Sequence, residues 1–80
     1  MYICFTTNKK MAAELYGKIV DFGMKDGVLK IVSVDPEDNT FVSTSAITNR
    51  KDLPSGAVVF TTHRSVYRFL PTSAVPSDLK

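Results

Sequence analysis

The sequence predicts a mostly β domain: a small antiparallel barrel or a strongly bent sheet of five or six strands, with at most one short helix. Three observations predict this class. Short runs of β-branched and aromatic residues alternate with turn-forming residues along most of the chain. Runs such as Ile19-Val20, Ile31-Val32 and Val58-Val59 are apolar on both faces, which a single flat sheet would leave partly uncovered. Eighty residues are enough for one domain only.

The composition excludes several classes of protein. Hydrophobic residues make up 44% and charged residues 22% of the chain, which is ordinary for a globular domain and excludes overall disorder. No apolar run is long enough to cross a bilayer, and the charges near the start follow the apolar stretch, unlike those of a signal peptide. The single cysteine, Cys4, cannot form an intrachain disulfide and is expected to be a small buried hydrophobe. These features predict a cytoplasmic protein.

The first third of the chain is predicted to contain a strand and the only helix. Residues 2–7 are β-branched and aromatic and predict a strand. Residues 9–16 are mostly good helix formers, Asn8 can cap the helix and Gly17 can end it. If residues 9–16 are helical, the class becomes α+β. The alternative is a strand over residues 13–22 with Gly17 as a bulge, and the balance slightly favours the helix.

The middle of the chain is predicted to be almost wholly β. Asp26-Gly27 lies between two β-branched runs and is the strongest short-range signal for a two-residue hairpin turn, because both positions need positive φ. Asp35-Pro36 begins a second turn, in which the proline presets φ and its neighbours supply hydrogen bonds. Residues 40–48 are predicted to form the next strand, with Phe41 in the core.

The last third is predicted to hold two further strands and a tail. Residues 57–62 form a strand, with Val59 in the core, and residues 65–70 alternate in the same way. The dipeptide His63-Arg64 between them is either a hairpin tip or a bulge in one long strand. One domain is therefore predicted over residues 1–70, followed by an extended or disordered tail over residues 71–80.

The sequence predicts no enzyme. It contains one histidine, His63, with no acid beside it in sequence to orient it, and no nucleophile motif. Cys4 and His63 are too few to build a structural zinc site, and the acidic turn at residues 35–39 lacks the ligand pattern of a calcium loop. No catalytic residue, metal or cofactor is therefore predicted.

Basic residues of the second half form the one candidate binding site. The net charge is only +2, but all three arginines lie in the last third of the chain. An arginine binds phosphate or carboxylate through a planar fork, which points to an anionic partner. Small β-barrels hold single-stranded nucleic acids with cations beside aromatic rings, although Tyr67 and Phe69 alternate as core residues should. The candidate binding residues are Arg50, Lys51, His63, Arg64 and Arg68.

Three stretches of the second half have a familiar pattern: Thr44–Ile47, Gly56–Thr62 and Ser65–Phe69. In these stretches the chain resembles small β-rich accessory proteins, of unassigned function, from bacteriophages and bacteria. The resemblance implies an accessory or anti-defence protein that acts by binding a host component, in the host cytoplasm if the chain is phage-encoded. It assigns no role to any residue.

These observations lead to two functional hypotheses. The first is a non-catalytic binding protein that modulates a host macromolecule by protein–protein contact, through a sheet edge or an arginine-bearing face. The alternative is a small β-barrel that binds RNA or single-stranded DNA. No membrane partner is predicted, and a homodimer is a further expectation because a chain of this size builds a small core.

Overall fold

A computed structural model describes residues 1–38 and 40–72, which form one antiparallel sheet and a single helix. The strands lie in the order β4-β3-β2-β1-β7-β6-β5 across the sheet. The predicted class, mostly β with one short helix, is confirmed. The elements in chain order are β1 (Tyr2–Thr6), α1 (Lys9–Leu15), β2 (Ile19–Lys25), β3 (Val28–Ser33), β4 (Phe41–Ala46), β5 (Asn49–Asp52), β6 (Val58–Thr61) and β7 (Val66–Pro71).

Helix α1 forms where its capping residues predict it, and the alternative strand is wrong. The Asn8 side chain accepts a hydrogen bond from the Met11 amide at 3.2 Å, which satisfies one of the free donors of the first turn. Gly17 follows the helix with φ of +72°, a conformation that glycine adopts without steric cost. Met11 and Leu15 are one turn apart on the buried face of α1, so packing on the sheet holds a helix too short to be stable alone.

The two predicted turns are confirmed. Asp26 and Gly27 have φ of +54° and +76°, and Lys25 pairs with Val28 on either side of them, as expected of a type I′ hairpin. In the next turn the Asp35 carbonyl oxygen accepts from the Asp38 amide at 3.0 Å. The β2–β3 hairpin and the start of β4 therefore form one meander fixed by local sequence.

The sheet is strongly bent but not closed into a barrel. The rings of Phe22 in β2 and Phe60 in β6 lie 5.2 Å apart, although β1 and β7 separate these strands in the sheet. In a flat sheet three strand spacings would amount to roughly 14 Å. The outer strands β4 and β5 do not pair, yet only Ile47 and Thr48 separate them in the chain. The Ile47 amide donates to the Gly27 carbonyl and the Thr48 amide to the Thr61 carbonyl, which ties the two halves of the sheet together.

The concave side of the bent sheet and the inner side of α1 enclose the core. Phe60 and Phe69 have no exposed surface, and the half-buried rings of Tyr2 and Phe22 pack against this pair. We call the concave side the core face and the opposite side of the sheet the outer face. The buried cluster comprises Cys4, Met11, Leu15, Val20, Leu29, Ile31, Val58, Phe60, Tyr67 and Phe69.

Three details differ from the sequence-based expectation: the number of strands and the positions of Phe41 and Val59, both expected in the core. The sheet has seven strands rather than five or six, because residues 49–52, which belong to none of the predicted strands, pair with β6 as β5. Phe41 was expected in the core but is 54% exposed, because Val42 takes the inward position opposite Ile31. Val59 is half-buried on the outer face, since its neighbours Val58 and Phe60 point into the core.

The domain was predicted to end at residue 70, but the last strand continues for one residue more. Pro71 is the final residue of β7 and pairs with Tyr2, and the Thr72 amide donates to the Met1 carbonyl. The remainder of the predicted tail, residues 73–80, lies outside the described residues. Over the ranges 1–38 and 40–72 no helix has the length and apolar character that crossing a membrane requires.

Candidate binding site

The structure separates the five predicted binding residues into three places. Arg50 and Lys51 are neighbours in β5 and so point to opposite faces of the sheet. His63 and Arg64 lie between β6 and β7, and Arg68 lies in the middle of β7. Of the five, only Lys51 and Arg68 therefore share a face as strand residues.

Lys51 and Arg68 lie on the outer face, with one residue between them across the strands. Lys51 pairs with Val59, and Val59 pairs with Arg68. Arg68 in turn pairs with Phe5 in β1. Because directly paired residues of an antiparallel sheet point to the same face, all of these residues lie on the outer face. Phe5, Arg68, Val59 and Lys51 form a cross-strand row, which we call the outer row.

Arg50 is engaged on the other face. Its guanidinium carbon lies 5.4 Å from the centroid of the Phe60 ring, within the distance of a cation–π interaction. The same guanidinium donates to Asp52 at 3.2 Å. Arg50 thus packs beside the core residue Phe60 and pairs with Asp52, on the opposite face from Lys51 and Arg68.

His63 and Arg64 form the tip of a hairpin, which excludes the alternative of one bulged strand. The Thr62 amide donates to the Ser65 carbonyl at 2.9 Å, closing a two-residue loop. Neither tip residue has positive φ; the buried Thr62 hydroxyl instead accepts from the Ser65 amide at 3.1 Å. Both tip side chains are exposed and lie at the ends of β6 and β7, outside the outer row.

Phe5 is the member of the outer row that the sequence analysis missed. It is 55% exposed, whereas Tyr67 and Phe69 are buried, as their alternation predicted. Together with Arg68, the ring lines a shallow depression of about 260 Å³. Both faces of β1 carry apolar or aromatic side chains, so the strand sequence alone does not show which face is exposed.

The two outer strands of the sheet differ in chemistry. Strand β4 (Phe-Val-Ser-Thr-Ser-Ala) has no charged residue and no proline. Strand β5 (Asn-Arg-Lys-Asp) has charges at three of its four positions. Charged side chains are a common protection of exposed strand edges against further pairing, so β5 is protected in this way and β4 is not.

Two observations on the described residues concern metal binding and thiol chemistry. Within residues 1–38 and 40–72 no three side chains among His, Cys, Asp and Glu lie close enough together to hold a metal ion. Cys4 is buried, as predicted, and burial raises the pKa of its thiol to about 12. A thiol with so high a pKa has almost no thiolate at neutral pH and is a poor nucleophile.

We therefore expect native Cys4 to resist thiol reagents. At pH 8 the high pKa reduces the thiolate fraction by about a thousandfold relative to an unfolded chain, and burial slows the reaction further. The measurement is the rate of modification by a chromogenic disulfide reagent with and without denaturant. Equal rates in the two conditions would contradict the buried position of Cys4.

Known proteins do not extend this description. Comparison of the chain with protein-family models, with curated proteins and with solved structures found no match.

Proposed function

We propose that the chain is a non-catalytic binding protein that acts by protein–protein contact, with the edge of β4 accepting an extended segment of its partner. The observation that carries the proposal is the contrast between the two outer strands of the sheet: β4 is uncharged and β5 is charged. Strand addition at a sheet edge derives affinity from main-chain hydrogen bonds and specificity from alternate side chains. Following the resemblance to phage accessory proteins, the partner that we propose is a host protein in the cytoplasm.

The hydrogen bonding of β4 determines which of its main-chain groups are free. The Ser33 amide donates to the Thr40 carbonyl at 3.1 Å, so Thr40 faces β3. Because the direction of main-chain groups alternates along an antiparallel strand, Val42 also faces β3, whereas Phe41 and Ser43 point away from it. A register shift follows between Lys30 and Val28, which limits the regular edge to the Phe41–Ser43 stretch. The partner segment is therefore short.

The surroundings of this edge indicate the chemistry of the partner segment. On the outer face the Lys30 ammonium lies 5.4 Å from the centroid of the exposed Phe41 ring. Beside the edge a depression of about 480 Å³ is lined by Phe41–Ser43 and by the first turns of α1, including Lys10 and Glu14. A partner strand with an apolar side chain against Phe41 and an acidic one near Lys30 would match this edge.

A proline scan of the two outer strands tests the proposal. Ser43→Pro removes a main-chain donor of β4 that points away from β3. Asp52→Pro is the matched control, because it introduces a proline into the other outer strand, β5. Proline is tolerated where the amide faces solvent at a sheet edge, so circular dichroism and thermal unfolding should show both variants folded. We expect tagged wild-type protein and Asp52→Pro to capture one stoichiometric partner, and Ser43→Pro to bind it at least about fivefold more weakly.

Amide exchange then locates the contact. In the complex with that partner, exchange at Phe41 and Ser43 should slow, while exchange along the free side of β5 should not change. Retention of the partner by Ser43→Pro, or protection at β5 instead of β4, would refute the assignment to this edge. Turnover of a substrate by the purified chain would refute the non-catalytic role.

A further inference from the structure

The outer face of the sheet is cationic over strands β1, β7, β6 and β5. Strands β1, β7, β6 and β5 contain one acid, Asp52. It pairs with the buried Val58 and so points to the core face. Arg68 and Lys51 point to the outer face, as the pairing of the outer row shows. No carboxylate from these four strands thus compensates the two cations.

Ion pairs elsewhere in the described chain do not involve these two cations. Asp21 pairs with the Met1 amine at 3.2 Å, Asp38 with Lys18 at 3.0 Å, and Asp52 with Arg50 at 3.2 Å. Among residues 1–38 and 40–72, neither Arg68 nor Lys51 forms an ion pair. An anionic ligand could therefore reach both side chains without displacing an internal partner.

The exposed ring of Phe5 adds a second, different binding element. Phe5 pairs with Arg68 across the strands, and both line the depression of about 260 Å³, with the hydroxyl-bearing Thr6 and Thr7 beside them. An exposed aromatic face beside a guanidinium suits a ligand that has a flat ring next to a negative charge. A nucleotide has this combination, with a base for the ring and a phosphate for the cation.

From these observations we infer that the outer row binds single-stranded nucleic acid. Phe5 stacks on a base, and Arg68 and Lys51 bind phosphates. Neighbouring strands are about 4.8 Å apart, so the row from Phe5 to Lys51 extends over roughly 14 Å and fits about two or three nucleotides. A duplex does not fit this arrangement, because its bases are stacked on one another and cannot stack on Phe5. The row is formed by residues of β1, β7, β6 and β5 and includes no residue of β4, so its test is separate from that of the proposed protein contact.

The test is a titration of fluorescently labelled oligo-dT and oligo-U, followed by anisotropy, with the full chain and five variants. We expect both single strands to bind, with affinity falling as salt rises. Phe5→Ala should bind about tenfold more weakly, since one stacked base is lost. Arg68→Ala should also bind more weakly, with the salt slope reduced by about 0.7, the contribution of one phosphate contact in a single strand.

Strands β3 and β4 provide matched controls. Phe41 is exposed to nearly the same degree as Phe5, and Lys30 carries the same charge as Lys51. Phe41→Ala and Lys30→Ala should retain wild-type affinity within about twofold, because neither residue lies in the outer row. Circular dichroism confirms that each variant is folded, and Phe5→Tyr, which retains a stacking ring, should restore binding if Phe5→Ala loses it.

The outcomes separate a built site from a general attraction of charge. Oligo-dT binding without oligo-U binding, or the reverse, would assign the site to one class of nucleic acid and support the inference. The absence of binding to both strands at low salt would overturn it. So would equal affinities of wild-type protein and Phe5→Ala, or equal affinity for a duplex, since either result would mean that no base stacks on the ring.

Discussion

Replacing Phe69 by alanine should lower the free energy of unfolding by about 3–5 kcal/mol, the cost of truncating a fully buried phenylalanine. The Phe69 ring is completely enclosed, and its centroid lies 4.4 Å from that of Phe22, 5.8 Å from that of Phe60 and 6.1 Å from that of Tyr2. It therefore joins β7 to β1, β2 and β6 at once. A small domain has a total stability of about 5–15 kcal/mol, so this loss removes much of it.

Chemical denaturation followed by circular dichroism measures this effect. Phe41→Ala is the matched control, since the same truncation at a half-exposed site should cost less than about 1 kcal/mol. Phe69→Leu fills most of the cavity and should fall between the two, which provides a folded variant if Phe69→Ala is unfolded. Equal losses for Phe69→Ala and Phe41→Ala would mean that the core has been misplaced.

Replacing Gly27 by valine should have the second largest effect, a loss of about 1–3 kcal/mol, although the new side chain meets no obstacle. A Cβ atom at Gly27 has nothing within 4 Å, but the backbone there has φ of +76°. A β-branched residue is strained in that region. The penalty thus isolates the backbone requirement of the type I′ turn from any steric clash.

Gly23 offers the matched control in the same hairpin. A Cβ atom at Gly23 also has nothing within 4 Å, but its φ lies outside the left-handed region. Gly23→Val should therefore be neutral or stabilise the protein by up to about 1 kcal/mol, since valine suits a strand better than glycine. Thermal unfolding of the two variants gives the comparison. A Gly27→Val variant as stable as wild type would show that the turn has another conformation.

Elements specified by neighbouring residues were predictable from the sequence. Asn8 caps α1 and Gly17 follows its end, and both functions depend on residues within one or two turns. Asp26 and Gly27 specify their hairpin in the same local way. In each case a side chain or a φ value determines the structure before any distant contact forms.

The direction in which each strand faces was less predictable. In β4 the core residue is Val42 and not the larger Phe41, and in β1 the outward residue is the aromatic Phe5. Both faces of these strands contain apolar residues, so hydrophobic alternation cannot choose between them. Strand β5 was missed because its charged sequence has little strand propensity. It forms through pairing with β6, a contact that only the folded chain supplies.

The candidate site was predictable in part for the same reason. Alternation along β5 placed Arg50 and Lys51 on opposite faces, but only the pairing with Phe60 and Val59 shows which one faces the core. Arg68 lies between Tyr67 and Phe69 in sequence, and these two rings are buried, as their alternation predicts. Its exposed aromatic neighbour is Phe5, about sixty residues away in sequence, and this distance is the reason that sequence spacing did not reveal it.

The pairing of β1 with β7 brings the first strand of the fold beside the last one. All of Tyr2–Thr6 is paired with β7, whereas β2 pairs only with Tyr2 and Ile3. During synthesis on the ribosome, β1 emerges first but gains its main partner only when β7 has emerged. The contact order is therefore high, and because long loops must close before these contacts form, we expect folding on a scale of about milliseconds to seconds.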